Sequence, residues 1–216
     1  MIIGIDGPAG SGKTTVAKLL AKRLGIFYLD TGAMYRTLTL KAIEKDVDLS
    51  NQNILKEIAK GLNLEFREGK VYLDDLDVSD QIRTPLIDKN ISQVVALPEV
   101  REIMVKLQRS MVAKGDFVVE GRDITTVVFP DAKYKFYIDA TPAIRAKRRF
   151  KELTDKGLDI NFQELDQDLK KRDNADKTRE VSPLKVSEDA VFIDTSNLTI
   201  PGTADEIIKH MDSEDK

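Results

Sequence analysis

The chain has 216 residues, enough for one sizeable core with an inserted lobe and short of two ordinary domains. It contains no cysteine, which excludes a disulfide framework, a thiolate metal site and a cysteine nucleophile. Its 34 basic and 37 acidic residues leave a net charge of −3, so no global basic field draws it to nucleic acid, and no apolar run approaches the roughly 18 residues of a membrane span.

The first expected element is a short apolar strand, Ile2 to Ile5, with no basic segment ahead of it, so a soluble cytoplasmic chain without a targeting segment is expected. Directly after it come Gly7, Pro8, Ala9, Gly10, Ser11, Gly12, Lys13 and Thr14, followed by Thr15. This is G-x-x-x-x-G-K-[ST] between a strand and an amphipathic stretch, the context of a phosphate-binding loop. Glycines let successive backbone N–H groups turn toward an anion, and the helix that follows adds its positive end. Lys13 is placed to reach the β- and γ-phosphates of a nucleotide, and the Thr14 hydroxyl to take a position on magnesium. The helix is predicted from about Gly12 to Leu24, with Val16, Leu20 and Leu24 on one stripe and Gly25 just past its end.

A second strand, Ile26 to Leu29, leads into Asp30, Thr31 and Arg36, which puts a carboxylate, a hydroxyl and a guanidinium at the carboxyl edge of the sheet, where ligands of open α/β folds bind. Asp30 is a second candidate magnesium partner, acting through water. From Leu62 to Val78 the pattern turns to short alternating runs, read as a small antiparallel ribbon inserted in the framework. Two helices are predicted after it, Pro85 to Val95 and Pro98 to Ala113, each opening on a proline. A third strand, Phe117 to Val119, runs into Glu120, Gly121, Arg122 and Asp123, a second acid and arginine at a strand end.

The fourth strand, Lys135 to Ile138, is followed by Arg145, Arg148 and Arg149 at helical spacing, which suits either a clamp on a transferring phosphoryl group or a solvated face. Arg172, Asp176 and Arg179 also share a helical face, and their spacing alone fits a solvated ion-pair ladder as well as a site. A fifth strand, Val191 to Ile193, precedes a last helix that is predicted to open on a capping box, Thr203 with Glu206, and to run to about His210; Ser213 to Lys216 should fray. His210 suits that helix end as a cation and is given no catalytic part. Strands alternating with helices over most of the chain predict an α/β domain with a parallel sheet covered on both faces.

Taken in order, GPAGSGKT, LDTGAMYR, SQVVALPEVR, EGRD with VVFPDA, RAKRR and RDNADKTREVSPL resemble the bacterial cytidylate kinases, of the nucleoside monophosphate kinase group of P-loop kinases. The resemblance spans the chain. It implies transfer of the γ-phosphoryl of ATP to CMP or dCMP with Mg2+, on a five-stranded parallel sheet flanked by helices, with the inserted ribbon in an acceptor-binding lobe and a short mobile lid. The core would be residues 1–29, 114–149 and 163–216, the lobe 30–113 with its insertion at about 62–84, and the lid 150–162, hinged at Gly157. A monomer is the family expectation, with small-molecule substrates and neither nucleic acid nor membrane as partner.

The same resemblance implies that Ser92, Arg101 and Asp123 contact the base, that Arg36, Arg122 and Arg179 hold the acceptor phosphate, and that Arg172 and Asp176 hold the sugar. Arg145 and Arg149 would approach the transferring phosphoryl as the lid closes. The base assignment is chemically apt: a carboxylate accepts from the cytosine N4 amino group while an arginine donates to N3 and O2, and uracil would set O4 against the carboxylate. The acceptor is already an oxyanion, so the reaction needs no general base.

The chain departs from the family pattern at Thr125, where glycine is usual, and at Ser182, where alanine is common. If that glycine has positive φ, threonine would be strained there and the turn would differ. Two other readings stay in view. A kinase for another monophosphate or for a shikimate-like acceptor would share the phosphate loop but lack the cytosine set. A nucleotide-dependent switch is opposed by the missing N-K-x-D guanine motif and by the arginines supplied in cis.

Overall fold

A computed structural model describes residues 1–214. Its elements in chain order are β1 (Ile2–Asp6), α1 (Lys13–Leu24), β2 (Phe27–Asp30), α2 (Thr31–Glu44), α3 (Gln52–Lys60), β3 (Leu64–Arg67), β4 (Lys70–Leu73), β5 (Leu76–Asp77), α4 (Pro85–Val95), α5 (Pro98–Met111), β6 (Phe117–Gly121), β7 (Tyr134–Asp139), α6 (Pro142–Asp155), α7 (Phe162–Thr178), β8 (Val191–Asp194) and α8 (Ile200–Glu214). They group into two compact units, the second formed by Leu29–Lys114 and the first by the residues on either side of that stretch.

The first unit is built on a five-stranded sheet in the order β2-β6-β1-β7-β8. β1 runs parallel to both β6 and β7, and β7 parallel to β8, as the alternating pattern predicts. The chain leaves β1 toward the β2 edge and later crosses to β7 on the other side, so the carboxyl end of β1 is the topological switch point where such sheets bind ligands. One apolar core joins Ile3 and Ile5 of β1, Val16 and Leu20 of α1, Val118, Phe136, Ile138 and Ile193 of the other strands, and Ile207 and Met211 of α8. Gly25 ends α1 in the left-handed conformation at φ +66, which glycine adopts without a Cβ penalty.

The second unit carries the antiparallel ribbon β3-β4-β5, with Leu64 opposite Leu73 and Phe66 opposite Val71. Four helices accompany it, of which α2 packs on α4 and α3 on α5. The helices α4 and α5 begin on the expected prolines, Pro85 and Pro98. Met34 of α2 and Met104 of α5 are fully buried packing residues.

Several elements differ from the sequence expectation. The third, fourth and fifth strands of the sheet run longer, to Gly121, Asp139 and Asp194, and β2 is shifted by one residue. The last helix starts before its expected capping box: the Thr199 hydroxyl accepts from the Gly202 N–H, while Thr203 lies inside the helix and donates to the Thr199 carbonyl. Ser213, expected to fray, still lies in α8; Asp215 and Lys216 lie outside the described residues. The stretch expected as a lid is helical at both ends, because Phe150 to Asp155 complete α6 and Phe162 opens α7. Gly157, at φ +77, lies in the connection, and the rings of Phe150 and Phe162 meet edge to face at 5.4 Å.

Candidate active site

The phosphate loop leaves β1 at Asp6 and enters α1 at Lys13, with Gly12 as the helix cap at φ +92. Its backbone is pressed close to its neighbours. A Cβ on Gly7 would stand 2.1 Å from the Ile138 carbonyl oxygen, and one on Gly10 would stand 2.8 Å from the carbonyl oxygen of Arg145, so only glycine fits. Ala9 packs on Ala146 of α6 and Leu169 of α7. The buried Ser11 hydroxyl has no hydrogen-bond partner among the described residues.

Lys13 is buried, its Nζ donating to the Pro8 carbonyl at 3.2 Å and lying 3.8 Å from Glu120 Oε2. Thr14 Oγ1 donates to Glu120 Oε1 at 2.5 Å, and the Tyr28 hydroxyl reaches the same oxygen at 3.0 Å. The Glu120 carboxylate thus meets both side chains expected to serve a nucleotide's phosphates and its metal. Sequence reasoning places Glu120 at a strand end but gives it no role, because its partners Thr14 and Lys13 are distant from it in sequence.

Farther along the same unit, Arg122 Nε donates to Asp176 Oδ2 at 2.9 Å. Arg179 lies 3.6 Å from both Asp123 Oδ1 and Asp176 Oδ1, and its Nε donates to the Ser182 carbonyl. Burial alone would weaken the Arg122 charge, but Asp176, helped by Glu120 and Asp173, holds the guanidinium more firmly protonated than usual. Burial likewise opposes ionisation of Asp176, and the charges of Arg122, Arg172 and Arg179 overcome it, leaving the carboxyl below its ordinary range. The Arg172 face is therefore a network that includes buried acids, and a solvated ladder does not describe it.

The α6 arginines turn to separate partners. Arg145 is 5% exposed and spends its guanidinium on Asp173 at 2.5 Å, on the Ala140 and Ala9 carbonyls at 3.0 and 3.1 Å, and on Asp139 at 3.3 Å. It therefore braces the loop from α6, engaged by protein acceptors. Arg149 pairs with Glu152 one turn later at 2.7 Å.

In the second unit, Asp30 caps α2 by accepting from the Ala33 N–H at 2.8 Å, and its other oxygen pairs with Arg83 at 2.9 Å. Each oxygen keeps a further lone pair, the acceptor that a metal-bound water would use. Thr31 is buried in the first turn of α2. Arg36 donates to the Ile82 carbonyl at 2.9 Å and pairs with Asp88. Arg101 is 2% exposed, donates to the Val95 carbonyl at 3.2 Å and stacks over the Tyr35 ring at 5.4 Å from its centre; Ser92 is half-buried on α4.

Thr125 lies in a wide helical turn, Ile124–Val128, and is not among the residues with positive φ, so the strain considered for it does not arise. Its N–H and hydroxyl both bond the buried Asp6 carboxylate. Among the described residues no cluster of three His, Cys, Asp or Glu is placed to hold a metal, and no helix is long and apolar enough to cross a membrane.

The sequence model of the family described as cytidylate kinase matches residues 3–213. The cytidylate kinase of Clostridium botulinum is 44% identical over 205 residues, which cover 95% of this chain and 94% of that one. The cytidylate kinase of Caldanaerobacter subterraneus subsp. tengcongensis is 47% identical over 197 residues, 91% of this chain and 88% of that one. A solved structure of an uncharacterized protein from Eubacterium ventriosum aligns over 99% of each chain with a TM-score of 0.51 and 20% identity, a likeness of fold.

Proposed function

The chain belongs to the cytidylate kinase family, and from that premise we propose that it transfers the γ-phosphoryl of ATP to CMP or dCMP, giving ADP and CDP or dCDP. The observation that carries this reading is the family match across residues 3–213. An acceptor phosphate oxygen attacks the γ-phosphorus, the bond to the β,γ-bridging oxygen breaks, and that oxygen leaves on ADP with its electron pair. No proton must move.

We assign Gly7 to Thr15 to the donor phosphates. Gly10 and Gly12 offer backbone N–H groups, and Lys13 supplies a charge that is held near the loop by Pro8 and Glu120. Thr14 and Glu120 fit a magnesium ion: a hydroxyl and a carboxylate are hard oxygen donors, and Mg2+ commonly keeps waters and phosphate oxygens for the rest of its shell, so three clustered acids are unnecessary. When bound, that ion would neutralise charge on the donor phosphates.

For the acceptor we assign Arg122 and Arg179 to the phosphate, Arg172 and Asp176 to the sugar and Asp123 to the cytosine amino group in the first unit. In the second unit Arg36 is assigned to the phosphate, and Ser92 and Arg101 to the base, within a lobe of residues 30–113. The Asp176 pairing keeps Arg122 charged and fixes its plane while using only some of its donors. Residues 150–162 would move as a lid about Gly157 to exclude water, bringing Arg149 toward the transferring group. The enzyme would act as a monomer in the cytoplasm.

The test is ADP production from ATP and Mg2+ with CMP, dCMP, UMP, AMP, GMP and shikimate offered separately. Turnover confined to CMP and dCMP is expected. Strong activity on another acceptor, or only slow hydrolysis that ignores the acceptor, would overturn the assignment.

A further inference from the structure

Two arginines of α6 hold carbonyl groups of the phosphate loop. Arg145 Nη1 donates to the Ala9 carbonyl at 3.1 Å, and Arg148 Nη1 donates to the Ser11 carbonyl at 3.2 Å. Arg148 is itself held by Thr195, just past β8: Nη2 donates to the Thr195 carbonyl at 2.6 Å and Nη1 to its hydroxyl oxygen at 3.0 Å. Thr195 is 2% exposed, and its N–H is fixed on the Asp139 carbonyl at 2.8 Å. Its hydroxyl lies 3.2 Å from the Ser11 carbonyl and 3.0 Å from the Asp139 carbonyl, so its single proton serves one of the two.

The described chain has no cis peptide bond, and in a planar trans peptide the C=O and the following N–H point in opposite directions. A hold on the Ser11 carbonyl therefore sets the direction of the Gly12 N–H, and a hold on the Ala9 carbonyl sets that of Gly10. These two residues sit at φ +92 and +75, with no side chains of their own to fix the peptide planes. A loop left to order itself on binding would lose affinity to that ordering, and an outside brace removes the loss.

We propose that Arg148, anchored by Thr195, is a positioning residue for the donor nucleotide, presenting the Gly12 N–H to a donor phosphate oxygen by holding the Ser11 carbonyl from the opposite side. The inference rests on the reading of Gly7 to Thr14 as the donor-phosphate loop. Arg145 braces the neighbouring peptide, but its buried ion pair with Asp173 also ties α6 to α7, so Arg148 is the cleaner probe.

The experiment is calorimetric binding of ATP to the wild type and to the Arg148→Met, Arg148→Lys and Thr195→Val variants, with KM for CMP and thermal unfolding without nucleotide measured on each. Arg148→Met should weaken ATP binding about tenfold or more, and Thr195→Val severalfold, while KM for CMP stays within about twofold. Arg148→Lys keeps the charge but loses the fork, and it should recover only a small part of the loss. Unchanged ATP affinity in Thr195→Val and in a folded Arg148→Met overturns the inference. So do full recovery by lysine, which would make the effect one of net charge, and equal losses toward ATP and CMP, or a loss that follows the unfolding temperature, which would make the contact merely structural. If Arg148→Met does not fold, Thr195→Val decides alone. A wild type that does not bind ATP overturns the reading of the loop itself.

Discussion

The Thr125 hydroxyl donates to the buried Asp6 carboxylate at 2.7 Å, and the Thr125 N–H reaches the same oxygen at 2.8 Å. The Ile124 N–H takes the other oxygen at 2.8 Å. Asp6 immediately precedes the phosphate loop and Thr125 closely follows Arg122 and Asp123, so one carboxylate fastens the two loop starts together. Gly4 makes room for the contact: a Cβ there would stand 2.9 Å from Thr125 Cγ2. The departure from the family's usual glycine thus brings a third donor to a buried acid.

Replacing that hydroxyl should expose the cost of ionising Asp6. Burial raises this carboxyl from 3.8 to about 6, against the lowering effect of the Thr125 and Ile124 bonds and with a smaller raising effect from Asp123. Between those values the folded protein keeps a proton that the unfolded chain has released, so stability falls as pH rises through the window and levels off above it. Thr125→Val keeps the side-chain shape and removes a donor to the charged form, which extends the fall to higher pH. We expect a loss of about 1–2 kcal/mol at pH 8 and a smaller one at pH 5 in urea unfolding. Equal losses at the two pH values would contradict the account.

Lys13→Ala should depress turnover by roughly a hundredfold or more with CMP and dCMP alike, because the assigned partner of the ammonium is the donor phosphate. The check is kcat and KM for each acceptor at saturating ATP. Loss for one acceptor alone would move Lys13 to the acceptor side.

Legibility in the sequence followed how many local constraints each residue carries. The loop from Gly7 to Thr14 was readable because close backbone packing admits little else at Gly7 and Gly10. The helices α4 and α5 announced themselves by a proline at the first turn. By contrast, α2 is buried over most of its circumference, so it shows no clean amphipathic stripe, and its opening residues Asp30, Thr31 and Arg36 point to chemistry in the sequence while Asp30 is also the helix cap. The sequence could not show that Arg145 would turn to Asp173 and Ala9, since that pairing depends on how α6 and α7 meet. Glu120 was hidden for a similar reason, being distant in sequence from Thr14 and Lys13.

Asp123→Ala should lower kcat/KM for CMP by about a hundredfold while leaving ATP affinity nearly unchanged, because the assigned carboxylate accepts from the cytosine amino group and an unpaired base edge is costly once buried. Discrimination against UMP should narrow in the same variant, since the repulsion between O4 and the carboxylate disappears. Parallel losses toward CMP and ATP would remove Asp123 from base reading.

Glu120→Gln separates a metal role from a scaffolding one. The amide oxygen can still accept from Thr14 and Tyr28, so the local hydrogen bonds survive while the negative charge is lost. If the carboxylate serves Mg2+, the concentration giving half-maximal activity should rise about tenfold, the usual scale for losing a partner of a bound ion. KM for CMP should hold. Without metal the sign reverses: a carboxylate beside Lys13 repels phosphate and competes for the ammonium, so the glutamine variant should bind ATP in EDTA more tightly than the wild type. Titration of activity with Mg2+ and ATP binding in EDTA, measured on the same preparations, give the two arms. Weaker binding in both media would mean that Glu120 only supports the loop, whereas the crossed result ties its charge to the ion held with Thr14.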